Sequence, residues 1–376
     1  MQILLIFQTI FFMLCEIFWP LALGFLLSAI IQALVSHRQM ASALGKDTPK
    51  CFTLATLFGA ASSSCSYAAV ALARSIFRKG ATFTNSMIFE LASTNLVFEL
   101  AIVLLVFLGW QFALAEFLGG ILMVVIVSFI FKISLSEQMT ENARKQSGEG
   151  LVGKMEGHAE MDMSLSGGKL FSKLFSKQVM TSVSHYFVAD VYSIWQDIVL
   201  GLVIAGVLAV LVPHSFWQVF FFTNDPKISF IEGPLVGPLV AIVSFVCSVG
   251  NIPLAAVLWA GGISFGGVVS FIFADLIILP ILNIYRKYYG TKVMLYILGA
   301  FYATMVLAGY LVEIIFSYLN LIPVKRSLSV FAQGIQLNYT SILDVIFIII
   351  SLMLLARFLR TGGPMMLRHM EHSGHS

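Results

Sequence analysis

The sequence predicts an all-α polytopic membrane protein, an inverted repeat of helix, re-entrant hairpin, helix and helix, with one further helix at the C-terminus. Three observations predict it. Apolar residues make up 59% of the chain and charged residues only 11%, with a mean hydropathy of +0.93, whereas a soluble protein carries about twice that charged fraction. A long apolar run is interrupted by Cys247-Ser248-Val249-Gly250-Asn251-Ile252-Pro253, and Cys65-Ser66 stands in register with Cys247-Ser248, 182 positions earlier. The basic residues, finally, sort onto one face of the membrane only if both interrupted segments leave by the side they entered.

The apolar segments in order are about 3–35, 52–73, 82–107, 112–133, 190–212, 234–260, 265–285, 293–317 and 340–357. The first is long enough to stay as a helix and lacks the basic start of a cleavable signal. Clusters fall at His37-Arg38 with Lys46 and Lys50, at Arg74, Arg78 and Lys79, at Lys132, at Arg286, Lys287 and Lys292, and at Arg357 and Arg360. If 52–73 and 234–260 are re-entrant, every one of these clusters is cytoplasmic. Seven spanning helices then put the N-terminus outside and the C-terminus inside the cytoplasmic membrane, and only Lys325-Arg326 falls on the wrong side.

Three crossings then separate the twin motifs, so the halves are inverted. The register runs on through Ser62 and Ser244, Leu72 and Leu254, Gly80 and Gly262, Phe83 and Phe265, Phe89 and Phe271, and Ala92 and Ala274. Gly24-Phe25-Leu26-Leu27 aligns with Gly201-Leu202-Val203-Ile204 in the first helix of each half. Residues 1–135 form one membrane repeat and 188–318 the other. A loop and last helix occupy 319–360, and 361–376 is a tail. Paired interrupted segments at matching places in two halves point to a transporter's binding site.

The stretch 136–187 balances acidic and basic residues, contains little that could bury a core, and reads as a flexible cytoplasmic linker. In the tail, Met365, Met366, His369, Met370, His372 and His375 gather thioether and imidazole groups that suit copper or zinc. A solvated tail is the other reading, since the spacing matches no closed tetrahedral pattern.

Gly, Asn and Pro in the middle of an apolar run invite a helix break, whose freed backbone groups must find partners inside the membrane. A thiol at such a break, near positive helix N-termini, has its pKa lowered and binds soft metal or metalloid centres. Cys65 and Cys247 are therefore candidate solute ligands, with Ser66, Ser248 and Asn251 beside them. A packing role for the cysteines, and a capping role for the serines, stay open. Glu90 and Asp275 each lie about two turns beyond a hairpin and are the candidates for proton coupling, because intramembrane acids are costly and face the interior. Glu99, Glu313 and Asp197 read as structural. Cys15 and Cys51 have no partner in the repeat, and the four cysteines make no disulfide framework.

The doubled Cys-Ser hairpins, Arg78-Lys79-Gly80 after the first, and the run from Ser248 through Asn251-Ile252-Pro253 to Gly262 resemble the predicted permease family, which includes the ArsP-type organoarsenical efflux permeases. The resemblance covers nearly the whole chain apart from the central loop and tail. It implies a cytoplasmic-membrane permease exporting a small thiol-seeking solute. Where many members carry Cys-Ser-Cys-Gly and then Pro, this chain reads Cys65-Ser66-Tyr67-Ala68, without the second thiol.

Three readings follow: a proton-coupled exporter of an organoarsenical or soft metal ion, a permease for a small anion held by half-helix N-termini, and a non-transporting membrane subunit. No nucleotide-binding loop or nucleophile–base pair suggests an enzyme, and neither a cofactor nor a nucleic acid is implied. The partners are a small solute or ion and the bilayer, and a homo-oligomer stays open.

Overall fold

A computed structural model describes residues 2–34, 43–63, 66–148, 176–211, 226–244, 248–324, 326 and 339–365. Among them every regular element is helical. The first half contains α1 (Gln2–Leu34), α2 (Pro49–Ser62), α3 (Ser66–Arg78), α4 (Phe83–Asn95), α5 (Phe98–Phe107) and α6 (Trp110–Ser134), followed by α7 (Glu137–Gly148). The second half contains α8 (Lys177–Leu211), α9 (Pro226–Ser244), α10 (Ser248–Gly261), α11 (Phe265–Phe273), a 3-10 turn (Ala274–Leu276), α12 (Leu279–Tyr289) and α13 (Thr291–Tyr318). Helix α14 (Tyr339–Arg360) closes the described chain. Phe83–Phe107, Trp110–Ser134, Thr291–Tyr318 and Ile342–Arg360 are each long and apolar enough to cross a membrane. Phe265–Leu276 with Leu279–Tyr289 makes a fifth such run, bent by 41°.

The repeat is visible in how helices begin and end. Helix α2 ends at Ser62 with Ser63 as its cap, the described part of α9 runs to Ser244, and those of α3 and α10 run from Ser66 and Ser248. Each starting helix ends in the same turn. Gly80 and Gly262 take φ of 118° and 111°, a conformation only glycine adopts without a Cβ clash. The N–H groups of Gly80 and Ala81 donate to Phe77 and Ile76 at 3.2 and 3.1 Å, and those of Gly262 and Ile263 to Trp259 and Leu258 at 3.1 and 3.3 Å. That pattern satisfies carbonyls the helix end would otherwise leave bare. Two residues on, Thr82 and Ser264 cap the next helices by accepting from the N–H of Asn85 and Gly267, both at 3.1 Å. Aromatic pairs follow suit, Phe77 on Phe83 at 5.4 Å and Trp259 on Phe265 at 6.3 Å.

Two expectations are corrected here. The runs 82–107 and 265–285 are not continuous helices, since each breaks near its middle. Asn95 ends α4 and Val97 is extended; in the second half Pro280, in the first turn of α12, has no N–H with which to continue the 3-10 turn. Helix α10, by contrast, runs unbroken from Ser248 through Gly250, Asn251 and Pro253. A proline this near a helix start removes one hydrogen bond, the one Val249's carbonyl would accept, which is a smaller disturbance than a mid-helix break.

Each hairpin packs against the broken helix that follows it through glycine. A Cβ on Gly59 of α2 would collide with the Phe89 carbonyl and lie 2.8 Å from Ala92 Cβ; one on Gly237 of α9 would lie 2.6 Å from Ser270 Oγ. The two ends of the first hairpin meet: Thr82 N–H donates to the Leu44 carbonyl at 3.0 Å, and the Asn85 amide donates to Leu44 and Lys46, both at 2.9 Å. This junction borders a cavity of 640 Å³ shared with Lys132 and Arg144, next to the contact of Ser134 Oγ with Tyr296 Oη near the start of α13 (2.8 Å). The ends of the second hairpin meet beside the finish of α13. There Ser264 donates to Glu313 at 2.9 Å, Tyr310 donates to the Ile231 carbonyl, and a Cβ on Gly233 would collide with Ser264.

The stretch 136–187 is helical where it is described. Helix α7 lies across the ends of α3 and α12, with Arg74 donating to the Ser147 carbonyl at 3.1 and 2.9 Å and Gln146 reaching the Arg286 carbonyl at 3.5 Å. Helix α8 already begins at Lys177.

Candidate functional site

The described parts of α3 and α10 both open on serine in the apolar interior; one of these serines bonds a buried carboxyl group and the other lies near it. Ser66, the first residue of α3, donates from Oγ to Asp275 Oδ2 at 2.6 Å. Ser248, the first residue of α10, faces the same carboxyl, as does Asn95 at the end of α4. All four residues are buried. Asp275 is held there by the 3-10 turn between α11 and α12, so a break in one helix presents its acid to the starts of two others. Helix N-termini carry partial positive charge and favour such a carboxylate.

Two more acids surround this point. One Glu90 oxygen accepts from the Tyr285 hydroxyl and the other has no hydrogen-bond partner among the described residues. Glu116 on α6 is 1% exposed and one of its oxygens also has no hydrogen-bond partner among the described residues. Both lie close enough to Asp275 to feel its charge. Gly119 and Gly120, three and four residues beyond Glu116 and so on its face of α6, let that helix close on Phe273 and Leu96 at the two breaks. Asn251 is buried one turn into α10. Among the described residues no group of three His, Cys, Asp or Glu is arranged to hold a metal ion.

Of the residues singled out from the sequence, the structure thus brings together Ser66, Ser248, Asp275 and Glu90. Cys65 and Cys247 lie outside the described residues, as do His369, His372 and His375. Glu99 receives the Ser63 hydroxyl and Glu313 that of Ser264. Both have interior polar partners, and the side chain of Asp197 lies outside what the structure describes. Glu116 and Tyr285 were not legible as site residues. The signal for Glu116 was present, an acid in an apolar span with paired glycines one turn on, but it has no counterpart in the repeat.

The family comparison covers both halves. A family model described as a predicted permease matches residues 2–314. The chain is 55% identical over 340 residues to the Mycobacterium tuberculosis protein named "Putative permease Rv2963", an alignment spanning 90% of this chain and 84% of that one. No solved structure matches it. With the match running from α1 almost to the end of α13, through both hairpins and the buried carboxyl between them, the chain belongs to the predicted permease family of multi-pass membrane proteins.

Proposed function

We propose that the protein exports a small thiophilic solute, an organoarsenical or a soft metal ion, across the cytoplasmic membrane by proton-coupled alternating access. The observation that carries this reading is the meeting of Ser66 and Ser248 at Asp275. The carboxyl, from the second half, bonds Ser66 of the first half and lies near Ser248, so a proton placed on it weakens a bond between the halves. Cys65 and Cys247 directly precede those two serines in the chain, which supports thiolates at the same point. In the cycle, Asp275 releases a proton inward as the thiolates take the soft centre, and takes a proton from outside as the solute leaves.

The inverted arrangement is part of the proposal. Its support is that the hairpin ends meet beside opposite ends of α13, a helix of 28 residues or about 42 Å. A small anion at the half-helix N-termini is the less favoured reading. The protein's own Asp275 stands where that anion would, and Glu90 and Glu116 add further negative charge nearby when ionised.

Uptake of a trivalent organoarsenical or of a soft metal ion into inverted vesicles, driven by an imposed proton gradient, tests the reading. Asp275→Asn, Cys65→Ser and Cys247→Ser should each abolish uptake while the protein still inserts. Uptake retained in both cysteine variants removes the thiols from the mechanism; uptake retained in Asp275→Asn removes the carboxyl.

A further inference from the structure

Arg144 and Arg326 stand outside the site, on segments that the repeat did not include. Arg144 lies on α7 and Arg326 just past α13, 182 positions apart, the register that relates the hairpins. Their surroundings repeat as well. The Arg144 guanidinium lies 4.2 Å over the Phe77 ring, and that of Arg326 lies 4.2 Å over the Trp259 ring. Arg144 donates to the carbonyls of Phe77 at 2.7 Å and Ala81 at 3.0 Å, and Arg326 donates to that of Ile263 at 3.0 Å. Phe77 matches Trp259 and Ala81 matches Ile263 in the same register. The carbonyls involved are those at and just past a helix C-terminus, where a cation is favoured.

We propose that Arg144 and Arg326 are a symmetric pair of positioning residues that hold the hairpin helices α3 and α10 at the depth where Ser66 and Ser248 reach Asp275, one clamp for each face of the membrane. Arg326 then breaks the sorting of basic residues for a reason: it is the second clamp. Its charge is met by Glu313, whose carboxylate also takes the Ser264 cap hydroxyl. Arg144 is carried by α7, which Arg74 ties down through the Ser147 carbonyl. Each arginine grips the outer end of a helix whose inner end is the site, so releasing one clamp frees one hairpin and moves the balance between the two access states. The inference rests on the alternating-access reading above.

Hydrogen exchange of the full chain in lipid nanodiscs tests it without any transport assay. Arg144→Gln should speed exchange at residues 79–84 and slow it at 261–266, and Arg326→Gln should do the reverse. Loss of a charged hydrogen bond sets the scale of each shift at about ten-fold. Purely local loosening speeds exchange on the mutated side and leaves the other side alone, and that result overturns the proposal, as does no change on either side. Lysine variants keep a second handle if the glutamines fail to insert. Arg326→Lys should retain wild-type exchange, since lysine can serve one carbonyl and one ring, while Arg144→Lys should not, since lysine lacks the fork that spans two carbonyls. Equal behaviour of the two lysine variants counts against the clamp. Reciprocal exchange shifts in a protein that moves no solute uphold the clamps and overturn the permease cycle.

Discussion

Ser66 and Ser248 matter as the first residues of interior helices, where a hydroxyl can meet a carboxylate without competition from water. Removing the Ser66 hydroxyl leaves Asp275 buried with a hydrogen bond missing, which costs about 1–3 kcal/mol. Ser66→Ala should therefore lower transport by about ten-fold or more, with Ser248→Ala weaker, because only Ser66 makes a direct 2.6 Å bond. Initial rates against solute concentration in vesicles check this, and equal effects would contradict the geometry. Glu116 belongs to the same scale. Glu116→Gln keeps the shape that Gly119 and Gly120 close upon and removes an ionisable group near Asp275. It should shift the proton dependence of transport while leaving insertion unchanged, and an unaltered pH profile would assign Glu116 to packing alone.

At the scale of elements, the helices are shaped mainly by how they end. Thr82 and Ser264 cap equivalent helices, yet they also donate to different acids, Asp47 and Glu313. Loss of a cap costs about 1 kcal/mol. Ser264→Ala should cost more than Thr82→Ala, because Ser264 and Glu313 are both buried whereas Asp47 is exposed to water. Thermal inactivation midpoints of the two variants in detergent test the order. Gly59 is the stricter case. An alanine there meets the backbone of α4 rather than a side chain that can turn away, so Gly59→Ala should lower stability by about 1–3 kcal/mol through overpacking.

For the whole molecule, the contacts place the ends of one hairpin beside the start of α13 and those of the other beside its finish. Lys79 is exposed after the first hairpin and Val324, beyond α13, is 96% exposed. Single cysteines at these positions, in a background without reactive native thiols, should label from opposite sides of sealed vesicles. Labelling of both from one side would refute the inversion.

Much of this was legible in the residues because it rests on local chemistry. Composition sets the solvent, and a helix that stops in an apolar medium must recruit Gly, Ser or Thr, so the ends of the hairpins could be read and matched 182 positions apart. Ser66 and Ser248 were singled out that way, and Glu90 and Asp275 because an acid in an apolar span is costly. The helix break at Leu96–Val97 was not legible, since a pair of apolar residues carries no local sign of a break, whereas the one at Ile277–Ile278 had its sign in Pro280 two residues on, unread inside an apolar run. Nor does periodicity reveal that Asp275 of one half meets Ser66 of the other, 209 residues away, that Glu116 joins them, or that Arg144 and Arg326 grip equivalent helix ends. Those are contacts between segments, chosen when the whole chain packs, and only the tertiary structure decides them.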